Sequence, residues 1–233
     1  MLPAFTLTAE AVESFRTSGY LQVAAPFDPS LSDALLKFYA SHAAQAAWVA
    51  HSPNSGRFTK EDRTDPELEK LRARADLYII ESVFSYCYRR LDIAPFSRCP
   101  PVEAILSVMQ SRETIRTLEY ISGHRLGRVR FVGITHYEQG DFLGPHADRS
   151  GADGIKAIAF NYCLVAPSDS QCNGDGALIY RRNHPEPDLA LRPAAGSLII
   201  FDVPRMGIHY VAPILKKREA RISLVGFYYL AGD

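Results

Sequence analysis

Thr135-His-Tyr-Glu-Gln-Gly-Asp-Phe-Leu-Gly-Pro-His-Ala-Asp-Arg149 is the stretch on which the reading of this chain turns. A β-rich run ends at Tyr137, a glycine-containing turn follows, and His146 and Asp148 come two residues apart. On an extended strand, positions i and i+2 point to the same side, so an imidazole and a carboxylate face one point in space. A second imidazole, His209, follows after enough chain for several strands to bring it back to that point. Three such donors in one place make a metal site. A His-x-Asp triplet specifies little alone. The order specifies more: the triplet after the first long strand, the distal histidine near the end, and a basic residue after it on the last strand.

The bulk of the chain is ordinary for a globular protein. At 233 residues it is one large domain or a domain with a substantial extension. Lys+Arg and Asp+Glu are 26 each, so no net field recruits nucleic acid or an anionic membrane. No apolar run approaches the roughly 18 residues of a membrane span, and no basic-then-apolar leader opens the chain. Cys87, Cys99, Cys163 and Cys172 are widely spaced, which argues against a zinc knuckle or redox pair. A reduced, cytoplasmic protein is expected.

Two halves differ in grammar. Residues 1–123 read as mostly helical. Thr8 caps a helix ended by Gly19, with a short strand at Tyr20–Val23. Asp28-Pro29 opens a helix running to about Ala50, and residues 52–64 read as a surface loop. Asp65-Pro66 opens a long helix whose apolar spacing continues from Leu68 to Tyr86. Tyr78, Tyr86 and Tyr88 are then core residues or, alternatively, a dimer contact. Helices from about Val102 to Met109 and from Ser111 to Gly123 follow. Residues 124–233 are short β-rich runs between Gly, Pro, Asn and Asp clusters: 128–137, 157–165, 177–181, 197–203, 209–212 and 221–230. The expected architecture is α+β: a double-stranded β-helix (jelly roll) in 124–233 with the helices of 1–123 packed against it, as one compact unit.

Two histidines and one carboxylate on one face of an octahedron are the ligands of non-haem Fe(II) oxygenases, with the remaining positions open. The sequence resembles the Fe(II)/2-oxoglutarate-dependent dioxygenases, in the branch similar to prolyl 4-hydroxylases, over about 128–230. The resemblance rests on Tyr137 ahead of His146-Ala-Asp148, on Asp175-Gly-Ala-Leu-Ile-Tyr180, and on Pro193-Ala-Ala-Gly-Ser-Leu-Ile-Ile-Phe201. The closing pair is His209-Tyr-Val-Ala-Pro213 and Arg221-Ile-Ser-Leu-Val-Gly-Phe-Tyr-Tyr229. It implies Fe(II) on His146, Asp148 and His209, with 2-oxoglutarate and O2 as cosubstrates. It also implies Arg221, Ser223 and Tyr137 on the far carboxylate of 2-oxoglutarate. Arg221 is preferred to Arg218 because alternation puts Ser223 on its side of the strand, whereas Arg218 lies in the charged run Lys216-Lys-Arg-Glu219. A guanidinium forks onto two carboxylate oxygens and stays charged when buried.

The activity implied is hydroxylation of an unactivated C–H bond coupled to decarboxylation of 2-oxoglutarate to succinate. The carboxylate at Asp148 points away from halogenation, since related halogenases carry a small residue there. A small molecule, an amino acid or natural-product intermediate, is the expected substrate. A peptidyl hydroxylase is the alternative, and a cupin-like binding module the alternative of another class. Cupins usually present His-x-His and a glutamate. Of Asn161/Cys163 and Phe160/Tyr162, one pair faces the site; Asn161 is the substrate-contact candidate, with Arg149 in a lid or plain turn at 149–154. His136, pointing opposite to Tyr137, reads as structural. Nothing in the sequence fixes the oligomeric state.

Overall fold

The computed structural model describes residues 7–148, 154–168, 174–182 and 186–232. Capping signals set the helices. Thr8 accepts from the Ala11 amide to start α1 (Ala9–Ser18), and Gly19, at φ 80, ends it before strand β1 (Tyr20–Val23). Asp28 accepts from Ser30 N–H ahead of α2 (Pro29–His42). Asp65 repeats the device ahead of α3 (Pro66–Ala73), with proline at the tolerated first position each time.

Three expectations for this half need correction. The helix from Asp28 stops at His42, and Ala47–Ser52 is a strand, β2. The loop at 52–64 contains strand β3 (Gly56–Lys60), joined to β2 by a turn in which Ser52 Oγ accepts from Asn54 and Ser55. The long helix from Asp65 breaks at Arg74 into α3 and α4 (Ala75–Ile80), and Tyr86–Asp92 is strand β4. Pairing decides each case. Trp48 to Ala50 lie beside Cys87 to Arg89 in one direction and Phe58 to Lys60 in the other, and such ladder bonds outweigh weak local propensity. Helices α5 (Pro100–Met109) and α6 (Arg112–Ser122) complete this half, the second capped by Ser111 and closed by Gly123.

The remaining strands are β5 (Leu126–Tyr137), β6 (Phe142–His146), β7 (Lys156–Val165), β8 (Leu178–Tyr180), β9 (Leu189–Leu191) and β10 (Leu198–Asp202). The short helix α7 (Val203–Met206) precedes β11 (His209–Val211) and β12 (Arg221–Leu230). The sheet runs β1-β10-β7-β12-β5-β4-β6-β11-β8-β9, with β2 and β3 continuing from β4. Strands of the first half thus enter the same curled antiparallel sheet, as expected of a jelly roll with a helical layer.

The two faces of this sheet have different work. Phe160, Tyr162, Leu164, Leu224 and Tyr228 pack outward on Phe15, Leu35, Ile105 and Leu118 of the helices. Each such side chain contributes about 1.5–3 kcal/mol by leaving water. The Tyr228 hydroxyl donates to Met109 C=O across 2.6 Å, tying β12 to α5. The inner face carries Tyr137, Ala159, Tyr180 and Phe201. Alternation then puts Asn161, Cys163, Arg221 and Ser223 on the inside.

Candidate active site

His146 closes β6 and His209 opens β11, and these strands pair so that the two residues are Cα partners. The return is local chemistry: Asp202 caps α7 through Arg205 N–H, and Gly207, at φ 65, reverses the chain. The imidazoles lie 4.4 Å apart by ring centroid. Asp148, two residues past His146, brings Oδ2 to 3.3 Å from His209 Nε2 and Oδ1 to 3.8 Å from His146 Nε2. All three donor atoms fall within 4.8 Å of one another.

Both rings are oriented by backbone. His146 Nδ1 lies 3.0 Å from Gly144 C=O, and His209 Nδ1 lies 3.2 Å from Gly207 C=O. A proton on each Nδ1 is thereby fixed, and each Nε2 presents a lone pair to the common point, the usual second contact of a ligating histidine. Burial, reinforced by His209, pulls the His146 pKa down to about 4, so the ring is neutral at pH 7. Burial acts against the Asp148 charge, yet its polar neighbours, with the Lys156 ammonium 3.0 Å from Oδ1, outweigh it and hold the carboxyl below its ordinary range. A neutral His146 nitrogen and an ionised Asp148 oxygen are donor states that a divalent cation needs. The set fits Fe(II).

Arg221 is fully buried. Its Nε donates to Ser223 Oγ at 3.3 Å and its Nη1 to Gly176 C=O at 2.5 Å, and its guanidinium carbon stands 5.9 Å from the Tyr137 ring centre. No carboxylate among the described residues pairs with it, so the charge is aimed into the cavity unneutralised. Gly176, at φ 64, brings its carbonyl to that cation. Burial and neighbouring Tyr88 push the Tyr137 hydroxyl well above its usual range, so it stays a donor. Arg218 is exposed and at φ 65, in the turn before β12.

The inner face of β7 carries Asn161, whose side-chain carbonyl oxygen is buried without a partner. Phe160 and Tyr162 face the helices instead. Arg149, and all of the suggested lid except Gly154, lie outside the described residues. His136 accepts or donates at Nδ1 to the Tyr39 hydroxyl, 2.8 Å away on α2, in keeping with a structural place. Tyr88 stacks on Tyr137 at 5.0 Å, and Phe84 stands 5.5 Å from the His146 ring. Sequence reading missed both, because it placed them on a helix; the alternation Tyr86, Tyr88, Arg90 was the available signal. It also missed Lys156, whose Nζ lies 3.0 Å from Asp148 Oδ1.

Residues 132–229 match the model of the 2OG-Fe(II) oxygenase superfamily. Over that segment the chain carries the signature of this superfamily. It is therefore a 2-oxoglutarate-dependent non-haem iron oxygenase, and Fe(II), 2-oxoglutarate and O2 are its reagents. Comparison with the curated proteins yields no match. Among solved structures, the oxygenase resembles a Pseudomonas putida prolyl-4-hydroxylase at 18% identity and TM-score 0.67, covering 96% of this chain and 99% of that one. An α-ketoglutarate-dependent epimerase from nogalamycin biosynthesis aligns at 15% identity and TM-score 0.60, with 95% and 82% covered. A Trichoplax adhaerens prolyl hydroxylase, solved with a hypoxia-inducible-factor peptide, aligns at 15% identity and TM-score 0.59, with 94% and 87% covered. These likenesses concern the fold, and they span enzymes of peptides and of small molecules. No helix among the described residues is long and apolar enough to cross a membrane, and Cys87, Cys99 and Cys163 are free thiols.

Proposed function

We propose that this oxygenase hydroxylates an unactivated C–H bond of a small molecule, an amino acid or natural-product intermediate. In this reading His146, Asp148 and His209 hold Fe(II). Arg221 receives the far carboxylate of 2-oxoglutarate, with Ser223 and the Tyr137 hydroxyl completing its hydrogen bonds. The observation that carries this is the fully buried Arg221, which lacks an acidic partner among the described residues and shares the inner face with the three donors. A guanidinium left unpaired in a dry interior is costly, and a dicarboxylate supplies the missing anion. Bound iron supplies the activation of O2 coupled to oxidative decarboxylation of 2-oxoglutarate.

The chain's own residues bind and orient. Gly144 and Gly207 carbonyls fix the imidazole tautomers, and Lys156 holds the Asp148 oxygen turned away from His209. Tyr88 and Phe84 line the side next to Tyr137 and His146. A small substrate is favoured because the β2–β3 hairpin beside this wall is already anchored. Lys60 pairs with Asp65 and Glu67, and Arg57 reaches the Tyr86 hydroxyl. Such a pinned wall suits a compact guest better than a polypeptide laid through the site.

Anaerobic addition of Fe(II) and 2-oxoglutarate should give a visible metal-to-ligand charge-transfer band. Succinate formation should then be stimulated by members of a panel of free amino acids. Stimulation by peptides alone would refute the small-molecule assignment and favour a peptidyl hydroxylase.

A further inference from the structure

Among the described residues, the inward cations of this cavity are accounted for except one. Arg221 is turned to the cosubstrate end, Lys156 is paired with Asp148, and Arg57 is bonded to Tyr86. Arg90, on β4, remains. Its neighbours Cys87, Arg89 and Leu91 face the helical layer: Leu91 joins the outer core, and Arg89 bonds to Ala46 C=O over the Trp48 ring. Alternation therefore turns Arg90 inward with Tyr88. Its Cα partner on β5 is Thr135, which pairs in turn with Ser223 on β12.

Arg90 stands over the Phe131 ring, 5.7 Å from its centre, and among the described residues it makes no hydrogen bond and no ion pair. Asp92, next on the same side of the strand, is turned away to accept from the Ala94 amide. Tyr88, on the same side of β4, stacks on Tyr137 at 5.0 Å, which puts Arg90 on the iron side of the sheet.

A second orphan faces the same space. Asn161 pairs across β12 with Val225, whose partner on β5 is Gly133. This row is the next along the strands from the Arg90 row. Among the described residues the Asn161 side-chain oxygen has no donor, and buried polar atoms in native structures find partners. Between the two orphans the floor is apolar. The Phe131 ring lies over Gly133, where an added Cβ would come to 3.3 Å from it, and Phe227 packs on Phe131 at 6.0 Å. The pocket thus offers a fixed cation over a ring, an apolar patch, and an unsatisfied acceptor.

We propose that Arg90 anchors a carboxylate of the prime substrate while Asn161 accepts an N–H from the same molecule, so that the substrate is a small amino-acid-type carboxylic acid with an apolar body. This rests on the reading of the site as that of a small-molecule oxygenase. A guanidinium forks onto two carboxylate oxygens, and the aromatic rings beneath hold the hydrocarbon part between the anchors and the metal ligands.

The test uses the whole protein with Fe(II) and 2-oxoglutarate under anaerobic conditions. α-Amino acids, their primary amides and their N,N,N-trimethyl derivatives are titrated in, and perturbation of the charge-transfer band reports binding. Free acids should bind at least about 10-fold more tightly than matched amides. Arg90→Met should weaken the acids by roughly 10- to 100-fold and leave the amides nearly unchanged. Arg90→Lys should restore part of the loss, which separates a lost charge from a misfolded protein. Asn161→Leu should abolish the preference for the free amine over its trimethyl derivative, which has no N–H. Equal binding of acids and amides, a preference that survives Arg90→Met, or no free acid that perturbs the band would each overturn the proposal. Failure of the band to form at all would instead defeat the underlying assignment of the iron and cosubstrate site.

Discussion

His209 stands directly across the β6–β11 ladder from His146, and the oxygen of Asp148 nearest to it is 3.3 Å from its Nε2. Backbone pairing, not side-chain flexibility, brings the distal imidazole to the proximal one. Removing either ring or the carboxylate should therefore remove the iron. Asp148→Ala and His209→Ala are expected to lower Fe(II) affinity by more than the 10- to 100-fold typical of losing a supporting contact, and to end succinate formation. Calorimetric titration with Fe(II) under argon checks this. Native-like affinity in both variants would disprove the metal assignment.

Arg221 and Arg218 make a matched pair of controls. Arg221→Met removes a buried charge aimed at an anion, a loss of about 2–5 kcal/mol. The 2-oxoglutarate concentration for half-maximal band intensity should rise by roughly 30-fold or more. Arg218→Ala, in an exposed turn, should leave it where it was. The reverse pattern would mean that the last strand is read in the wrong register.

Gly144 is required by contact, since a Cβ there would come within 2.6 Å of Ser85 C=O. Gly144→Ala must push β6 away from Ser85, at about 1–3 kcal/mol of stability. The same residue's carbonyl holds His146 Nδ1, so Fe(II) affinity should drop as well, by about 10- to 100-fold. Denaturant unfolding and metal titration together read both effects. A destabilised variant that binds iron normally would show that this carbonyl does not orient the ring.

His136 gives a pH signature away from the metal ligands. Burial lowers its proton affinity in the folded protein. As pH falls from 7, the unfolded chain takes up the proton first, near pH 6.5, and gains stability relative to the native state. The contribution of neutral His136 is thus complete above that range and is lost as pH falls through it. Urea midpoints at pH 7, 6 and 5 should decline less steeply in His136→Gln than in the native protein. Identical slopes would exclude His136 as a source.

How much of this could be read in advance depended on whether a signal was local. Thr8, Asp28, Asp65 and Ser111 announce helix starts through their own side chains, and His146, Asp148, Arg221 and Ser223 sort to one face by alternation alone. The tail of the Asp65 helix misled because Leu68 to Tyr86 happen to repeat at helical spacing, while the true state of Tyr86–Asp92 is set by neighbours distant in sequence, β2 and β5. The inward side of β7 was undetermined for a related reason. Both of its faces are apolar enough to be buried, and only the helical layer's claim on Phe160 and Tyr162 turns Asn161 inside. Lys156 and Arg90 carry no motif; their places follow from the curl of the sheet.

Among the described residues, Arg221 has the greatest bulk of any wholly enclosed side chain, and it is a cation. If Arg221 receives a dicarboxylate as proposed, the molecule completes its interior only when that ligand binds. Heat resistance and survival against proteases should consequently track the supply of 2-oxoglutarate, with the melting point climbing as ligand is added. Abundance of the enzyme would then follow the metabolic state that sets that supply.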